Sequence, residues 1–311
     1  MIPLQMSSGD LIADRRAYYA EALATDDPAA ACDLYLQALD LAPDWAAGWY
    51  RLGVLRADHG LPGAAEAFER AIASDPADRL GAALRRDMLR DRALGDTVPT
   101  AFVETLFDQY AASFDTALVD RLDYRAPQLL RAGLNGPQGR VLDLGCGTGL
   151  MGAELRPLCT YLEGWDISAE MLREAEAKAL YDHLDKRDLS ALAPVDATWD
   201  LVTAADVFAY LGALERITAW VSAALRPGGR FAFTVEAHDG PEPYHLRPSR
   251  RFAHSEKGLR DLLDQAGFTA TLTRATLRMD RDAPIEGFVV HAVKNAPLPR
   301  HAEDGEDMAA A

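Results

Sequence analysis

The densest chemical signal in the sequence is the run Val141-Leu142-Asp143-Leu144-Gly145-Cys146-Gly147-Thr148-Gly149. Glycine reaches backbone conformations closed to other residues and lets a ligand approach the main chain. Between an apolar strand and a helix N-terminus, such a turn seats a cofactor. Two cofactor classes use it. Gly147-Thr148-Gly149-Leu150-Met151-Gly152 spells the G-x-G-x-x-G of dinucleotide sites. In those sites, however, the first glycine follows the strand directly. Here that residue is Gly145, and counted from it the third glycine falls one position early. Asp143 is also awkward for a dinucleotide, because a carboxylate at the strand end repels a pyrophosphate. It suits a cofactor that carries an ammonium group.

The elements that must hold this turn follow from periodicity. Arg140–Leu144 reads as a strand, with a helix from about Gly149. Tyr161–Trp165 reads as a second strand, with a helix from Ser168 to about Leu180. Leu201–Ala204 and Arg230–Val235 are further strands, the latter entered through Pro227-Gly228-Gly229. The helix Ser255–Ala266 stops at Gly267. Runs at Thr269–Leu277 and Gly287–Val293 close the region. Strands alternating with helices predict a doubly wound, mostly parallel α/β sheet.

Residues 10–94 differ in texture, with helical periodicity and no strand-like run. Trp49, Leu52 and Gly53 are followed by Ala64, Phe68, Ala71 and Pro76; the preceding stretch ends Ala31, Tyr35, Ala38 and Pro43. The small–aromatic–small–Pro pattern recurs at nearly the tetratricopeptide period of about 34 residues. Small residues let paired helices approach, and proline ends the second helix. Arg56 stands where an aromatic is usual, and Tyr18 and Tyr19 where Leu and Gly are usual. A third helix, about Asp78–Leu94, reads as a cap, and a plain helical bundle is the competing reading. Residues 95–100 read as a linker, 101–295 as the second domain, and 296–311 as a disordered acidic tail.

Composition sets limits. The 311 residues carry a net charge of −16, about −6 over 1–96, −7 over 97–295 and −3 beyond. No region is basic, which argues against binding nucleic-acid phosphates or anionic membranes. Cys32, Cys146 and Cys159 have neither disulfide nor metal-ligand spacing, so reduced thiols, no metal and a cytoplasmic location are expected. No signal peptide or membrane span is visible.

Asp-x-Gly-x-Gly-x-Gly at 143–149 resembles motif I of the class I S-adenosylmethionine-dependent methyltransferases. Asp166, about 20 residues on, matches the carboxylate that binds the ribose hydroxyls. Asp188-Leu189 matches the acidic position at the adenine. Asp200-Leu201-Val202-Thr203-Ala204-Ala205-Asp206 resembles motif IV, and Leu225-Arg226-Pro227-Gly228-Gly229-Arg230-Phe231 the turn into the fifth strand. The resemblance covers about 100–295 and implies a seven-stranded Rossmann-like sheet. With Phe107-Asp108-Gln109-Tyr110-Ala111, Phe114-Asp115 and Leu122-Asp123-Tyr124-Arg125-Ala126-Pro127 ahead of motif I, the chain resembles bacterial methyltransferases that carry tetratricopeptide repeats. The implied cofactor is S-adenosylmethionine, held by Tyr110, Arg125, Asp143, Gly145, Gly147, Asp166, Ile167, Met171, Asp188, Leu189 and Ala205. Arg125 is the candidate clamp on the cofactor carboxylate, or else a structural ion pair; Tyr110 is a roof over the cofactor, or else a core aromatic.

Methyl transfer needs alignment and exclusion of water more than a fixed catalytic set. Acceptor-side candidates lie beyond the fourth and fifth strands: His254, Glu236 and Tyr210 for catalysis, and Asp206, Tyr244 and Arg251 for substrate. His238 also stands there, but reads better as a solvated loop residue. His254, just before the N-cap Ser255, is expected to project from a loop as a proton acceptor, or to bond a backbone carbonyl. Arg251 and His254 together would suit an anionic substrate; Arg247, Arg250 and Arg251 otherwise read as a solvated basic turn. Asp206-Val207-Phe208-Ala209-Tyr210 replaces the Asn-Pro-Pro-Tyr motif of enzymes that methylate nucleic-acid bases or glutamine. The expected function is methyl transfer to a small molecule or a protein side chain. The alternative is a scaffold that binds a partner, or a second copy, through its helical repeats.

Overall fold

The computed structural model describes residues 7–90, 98–116, 122–196, 198–280 and 283–296. Five helices come first: α1 Leu11–Leu23, α2 Pro28–Leu41, α3 Ala46–Asp58, α4 Ala64–Ser74 and α5 Ala82–Leu89. Asp10 and Asp27 cap α1 and α2 by accepting main-chain N–H groups. Alanines at 17, 20 and 31 let α1 and α2 close on the buried ring of Tyr35. Tyr35 bonds Glu21, which also accepts two bonds from Arg51, at 2.8 and 2.5 Å. At Gly53 a Cβ would stand 2.7 Å from the Phe68 ring, so only glycine lets α3 and α4 approach this closely. The helix expected from Asp78 starts at Ala82 instead, because Asp78 caps it by accepting bonds from Ala82 and Ala83 N–H; residues 91–94 of its expected span lie outside the described residues.

The second region begins with α6 Thr100–Tyr110 and α7 Ala126–Ala132 and then alternates. Its strands are β1 Gln138–Leu144, β2 Cys159–Asp166, β3 His183–Lys186, β4 Trp199–Ala204 and β5 Leu225–Ala237. Further strands are β6 Tyr244–Leu246, β7 Phe252–His254, β8 Phe268–Asp280 and β9 Ala283–Lys294. Between them run α8 Leu150–Leu155, α9 Ala169–Ala177, α10 Glu215–Ala224 and α11 Glu256–Gln265. The order β3-β2-β1-β4-β5-β9-β8 makes the expected seven-stranded sheet, parallel from β3 to β5, with β9 antiparallel to both neighbours.

An unanticipated hairpin, β6–β7, is added where β4 ends. There β7 pairs with the last residues of β5, at Glu236–Ala253 and Ala237–His254.

Alternation along the strands builds two cores. Val141, Leu201 and Ala232 face α7 and α8, meeting Leu130, Met151 and Leu155. Leu142, Val202, Phe231 and Phe233 face α10 and α11, meeting Trp220, Val221, Leu259 and Leu263.

The two regions share a smaller apolar cluster. Leu84 and Met88 of α5 meet Val98, Phe102, Leu246 and Phe252. Arg250 lies 4.8 Å from the Phe102 ring and donates to the Tyr50 hydroxyl at 3.3 Å. Of the expected linker, 95–97 lies outside the described residues. The remainder is built into the fold: Val98 is buried and donates its N–H to the Tyr210 carbonyl. Residues 297–311 of the expected tail also lie outside. Among the described residues, no helix is long and apolar enough to cross a membrane, and no group of His, Cys, Asp or Glu is arranged to hold a metal.

Candidate active site

A cavity of about 400 Å³ opens at the carboxyl ends of β1–β4 and is roofed by α6 and the segment after it. Two ends can be distinguished.

The first end is largely backbone. Gly145, Gly147 and Gly149 all take the left-handed region, with φ of +61°, +53° and +91°, so the chain turns from β1 into α8 with bare main chain toward the cavity. Asp166, at the tip of β2, is buried and holds the turn by accepting from Gly147 N–H and Ser168 N–H, both at 2.8 Å. Burial pushes the Asp166 carboxyl up to about 6, against those N–H groups. Ile167, Met171, Asp188, Leu189 and Ser190 continue the wall. The Asp188 carboxylate accepts from Ser190 N–H at 2.8 Å.

The roof is tied down on this side. Asp108 accepts from Ser168 Oγ at 2.6 Å, Lys186 donates to Glu104 at 2.6 Å, and Asp115 bonds both Thr148 and Lys178. Phe107, Tyr110 and Phe114 face down from it.

This end fits the implied cofactor: a glycine cradle, a carboxylate at ribose distance in the chain, and apolar walls for a base. Asp143, expected to face the cofactor, does not line the cavity. It lies beneath the turn, 1% exposed, and accepts from Tyr181 Oη and Thr203 Oγ1, each at 2.8 Å. Burial pushes its carboxyl up to about 7 against those two bonds. Arg125 also stands apart; its guanidinium is over half exposed and pairs with Asp123 at 2.7 Å. Its neighbour Tyr124 lines the cavity instead and donates to the Ala205 carbonyl at 3.3 Å.

The second end is made of long side chains. Asp206, on a left-handed backbone at φ +60°, follows Ala205 at the end of β4. It accepts from Arg251 Nη2 at 2.7 Å and from Arg278 Nη1 at 3.0 Å. Glu236 accepts from Arg251 Nε at 2.6 Å, Arg278 Nη2 at 2.5 Å and Arg247 Nη1 at 2.9 Å. Arg251 Nη1 donates to Tyr210 Oη at 2.9 Å. Burial pushes the Glu236 carboxyl up, but Arg251 and Arg278 outweigh it and hold the group below the usual range.

Asp206, Tyr210, Arg251 and Arg278 line the cavity; Glu236 stands behind them at 1% exposure. Sequence reasoning misses Arg278, whose only sign in the sequence is a charge between Leu277 and Met279. In the structure it sits at a register shift near the end of β8 and is 6% exposed.

Two acceptor-side expectations are corrected. His254 does not project from a loop. It is in β7, 3% exposed, with Nε2 2.9 Å from the Gly212 carbonyl, so Nε2 carries the hydrogen. Burial pushes its pKa down to about 4, and it does not line the cavity. Tyr244, in β6, packs on Phe252 and His254 and likewise lies outside the lining.

Residues 142–231 match the family model described as a methyltransferase domain. The malonyl-(acyl-carrier protein) O-methyltransferase of Enterobacter lignolyticus is 35% identical over 100 residues, 32% of this chain and 40% of that protein. The enzyme of the same name from Pseudescherichia vulneris is 31% identical over 136 residues, 43% of this chain and 53% of that protein. Human methyltransferase-like protein 27 is 42% identical over 85 residues, 25% of this chain and 34% of that protein. The chain thus spans between about a third and a half of these curated relatives. A solved complex of the Haloferax volcanii Trm112 methyltransferase activator with a methyltransferase aligns at TM-score 0.51 and 21% identity, covering 61% of this chain and 97% of that one. That likeness supports the fold. With the glycine cradle, Asp166 and the sheet order in place, residues 142–231 match a methyltransferase domain set on a Rossmann-like sheet.

Proposed function

We propose that the protein transfers a methyl group from S-adenosylmethionine to a small molecule or a protein side chain. The observation that carries this reading is one cavity with two chemically distinct ends. The backbone cradle of Gly145 and Gly147 lies at one, and the polar cluster of Asp206, Tyr210 and Arg251 at the other. The cofactor, when bound, supplies an electrophilic sulfonium methyl.

The chain's own residues bind and align. Asp166 accepts the ribose hydroxyls, Asp188 and Leu189 meet the adenine edge, and Ile167 and Met171 flank the base. Phe107, Tyr110 and Phe114 keep water from the reacting pair. Residues 101–295 form the catalytic unit, and α1–α5 are tetratricopeptide-like repeats that offer a surface to a partner or a second copy.

Calorimetry with S-adenosylhomocysteine and with NAD tests the cofactor; micromolar binding of the former and none of the latter is expected. Labelled S-adenosylmethionine with fractionated lysate tests the transfer. Binding of NAD alone, or cofactor binding with no label transferred to any fraction, overturns the proposal.

A further inference from the structure

From the turn between β6 and β7 we propose that the helical region is a positioning part of the cavity's second end: Tyr50 holds Arg250, and Arg250 fixes the turn from which Arg251 reaches into the cavity. This deepens the methyl-transfer reading above, on which it rests for what the second end serves.

The turn spans residues 247–251, beyond the last hairpin pair, Leu246–Phe252. Two main-chain bonds close it, Arg247 N–H to the Arg251 carbonyl at 3.0 Å and Arg250 N–H to the Arg247 carbonyl at 2.8 Å. The sequence offers its arginines as a solvated basic stretch, but in the structure they point three ways. Arg247 turns back on β5, donating to Glu236 at 2.9 Å and to the Ala237 carbonyl at 2.5 Å. Arg251 enters the cavity and donates to Glu236, Asp206 and Tyr210, at 2.6, 2.7 and 2.9 Å. Arg250, outside the cavity lining, crosses to the helical region, where it donates to the Tyr50 hydroxyl and lies over the Phe102 ring.

Three features make this crossing a positioning device. The first is backbone conformation. Arg250 is left-handed, at φ +64°. A residue with a Cβ is strained there and keeps that conformation where its surroundings fix it. Tyr50 is a firm anchor, 0% exposed on α3 with its ring 5.6 Å from that of Phe68.

The second is the grip on both shoulders of the turn. Leu246 and Phe252, which flank it, are buried in one cluster with Leu84 and Met88 of α5. The helical region thus holds the turn at its base as well as at Arg250.

The third is what the turn carries. Arg251 follows Arg250 directly, and its three bonds require one placement of the guanidinium, since hydrogen bonds weaken steeply with angle. Its partner Tyr210 is held from the same side, its carbonyl accepting from Val98 N–H at 3.1 Å. A shift of the turn uncouples Arg251 from Asp206 and Tyr210 while leaving the glycine cradle, at the other end, in place. The face of α3 that carries Tyr50 is therefore covered by this chain's own turn, and the second end is completed by both regions.

The test uses the full chain, isotope-labelled at the arginine nitrogens. The Arg251 Nε–H, bonded to Glu236, is identified by its loss in Arg251→Lys, and its exchange with solvent is followed by NMR. Arg250→Gly keeps the left-handed backbone without steric cost and removes only the crossing. Arg251 Nε–H exchange should then accelerate about tenfold or more, while S-adenosylhomocysteine affinity, read by calorimetry, is unchanged. Tyr50→Phe keeps the ring in the core and should act in the same direction to a smaller extent. Arg250→Lys should retain part of the protection that Arg250→Gly loses. Methyl label transferred into lysate should fall about tenfold in Arg250→Gly, as displacement of an aligning group predicts. Unchanged Arg251 exchange in Arg250→Gly overturns the inference, and unchanged exchange in Tyr50→Phe, which would remove the helical region from it, overturns it as well. So does an equal loss of S-adenosylhomocysteine affinity, which would make the contact a general support of the fold. Absence of transfer by the wild type counts against methyl transfer alone, because the exchange measurement does not depend on turnover.

Discussion

The two ends of the cavity are built by different means. The cofactor end is made of main chain: a glycine turn, strand tips, and a carboxylate whose oxygens already grip two N–H groups. The second end is made of arginine, aspartate and tyrosine side chains reaching in from β8 and the loops around Asp206 and Arg251, with Glu236 of β5 buried behind them. A backbone cradle fixes position through local conformation, and one substitution damages it severely. A side-chain cluster fixes position through mutual pairing, and its specificity is altered by changing which residues reach it. On the proposed reading, a single chain joins a task of fixed geometry, holding one cofactor, to an adaptable one, choosing an acceptor.

The sharpest way to break the comparison is Asp166→Ala. Two ribose hydroxyl bonds to a carboxylate are worth roughly 1.5–3 kcal/mol each, so S-adenosylhomocysteine affinity should fall by on the order of a hundredfold or more. Asp166→Asn should fall less, because its amide oxygen still accepts. Because burial raises this carboxyl to about 6, wild-type affinity should also decline as pH falls below about 6 and protonation removes the acceptor. Calorimetry from pH 5 to 8 reads both. Unchanged affinity in a folded alanine variant would move the ribose contact elsewhere.

Asp143 tests whether the cradle stands on a strained foundation. Its carboxyl titrates at about 7 in the folded protein, against about 3.9 in an unfolded chain. The folded state therefore binds the extra proton, and stability falls as pH rises between those values. Over pH 5 to 8 this group alone costs about 2–3 kcal/mol, at 1.36 kcal/mol per unit; Asp166 adds a smaller change of the same sign. Urea midpoints of Asp143→Asn should show a much shallower loss across that window than the wild type. Identical pH profiles for the two proteins would mean that Asp143 is not the titrating group.

What could be read from the sequence follows the same division. The cofactor end lies in short, ordered stretches, 143–149, 166–171 and 188–189, where strand, turn and helix signals fix which residues stand at the sheet edge. The acceptor end assembles Tyr124, Asp206, Arg251 and Arg278, whose convergence depends on how distant loops cross. Arg125 drew attention through its charge, yet its neighbour Tyr124 faces inward. Ser255 is the N-cap its sequence position predicts, its Oγ accepting from Gly258 N–H at 3.2 Å. The segment before it looks like a loop in the sequence because a three-residue strand, Phe252–His254, is too short to show alternation. Its pairing with the end of β5 comes from tertiary contact alone.

His254 sharpens the acceptor side of the comparison. As a buried neutral imidazole bonded to Gly212, its removal should act on stability. His254→Ala should lower unfolding free energy by about 1–3 kcal/mol, the cost of an orphaned buried carbonyl, while S-adenosylhomocysteine affinity stays within twofold. Denaturant unfolding and calorimetry on one preparation separate the two. A stable variant with turnover reduced a hundredfold would restore the proton-acceptor role expected from sequence.

The smallest expected effect belongs to Arg125, and it tells backbone recognition from side-chain recognition at the cofactor's charged tail. If a guanidinium clamp held the cofactor carboxylate, Arg125→Ala would remove a bidentate charged contact and cost affinity tenfold or more. The structure places this guanidinium over half exposed, paired with Asp123 at 2.7 Å and outside the cavity lining. Exposed pairs of this kind contribute about 0–1 kcal/mol, because solvent screens them and two long side chains lose freedom to form them. Arg125→Ala should therefore change S-adenosylhomocysteine affinity less than twofold and the unfolding midpoint marginally. The effect should shrink further in high salt. Tyr124→Ala, one residue away, removes a ring that lines the cavity and its bond to the Ala205 carbonyl. It should cost affinity where Arg125→Ala does not, and a reversal of that order would show that the segment turns over when cofactor binds, bringing Arg125 inward.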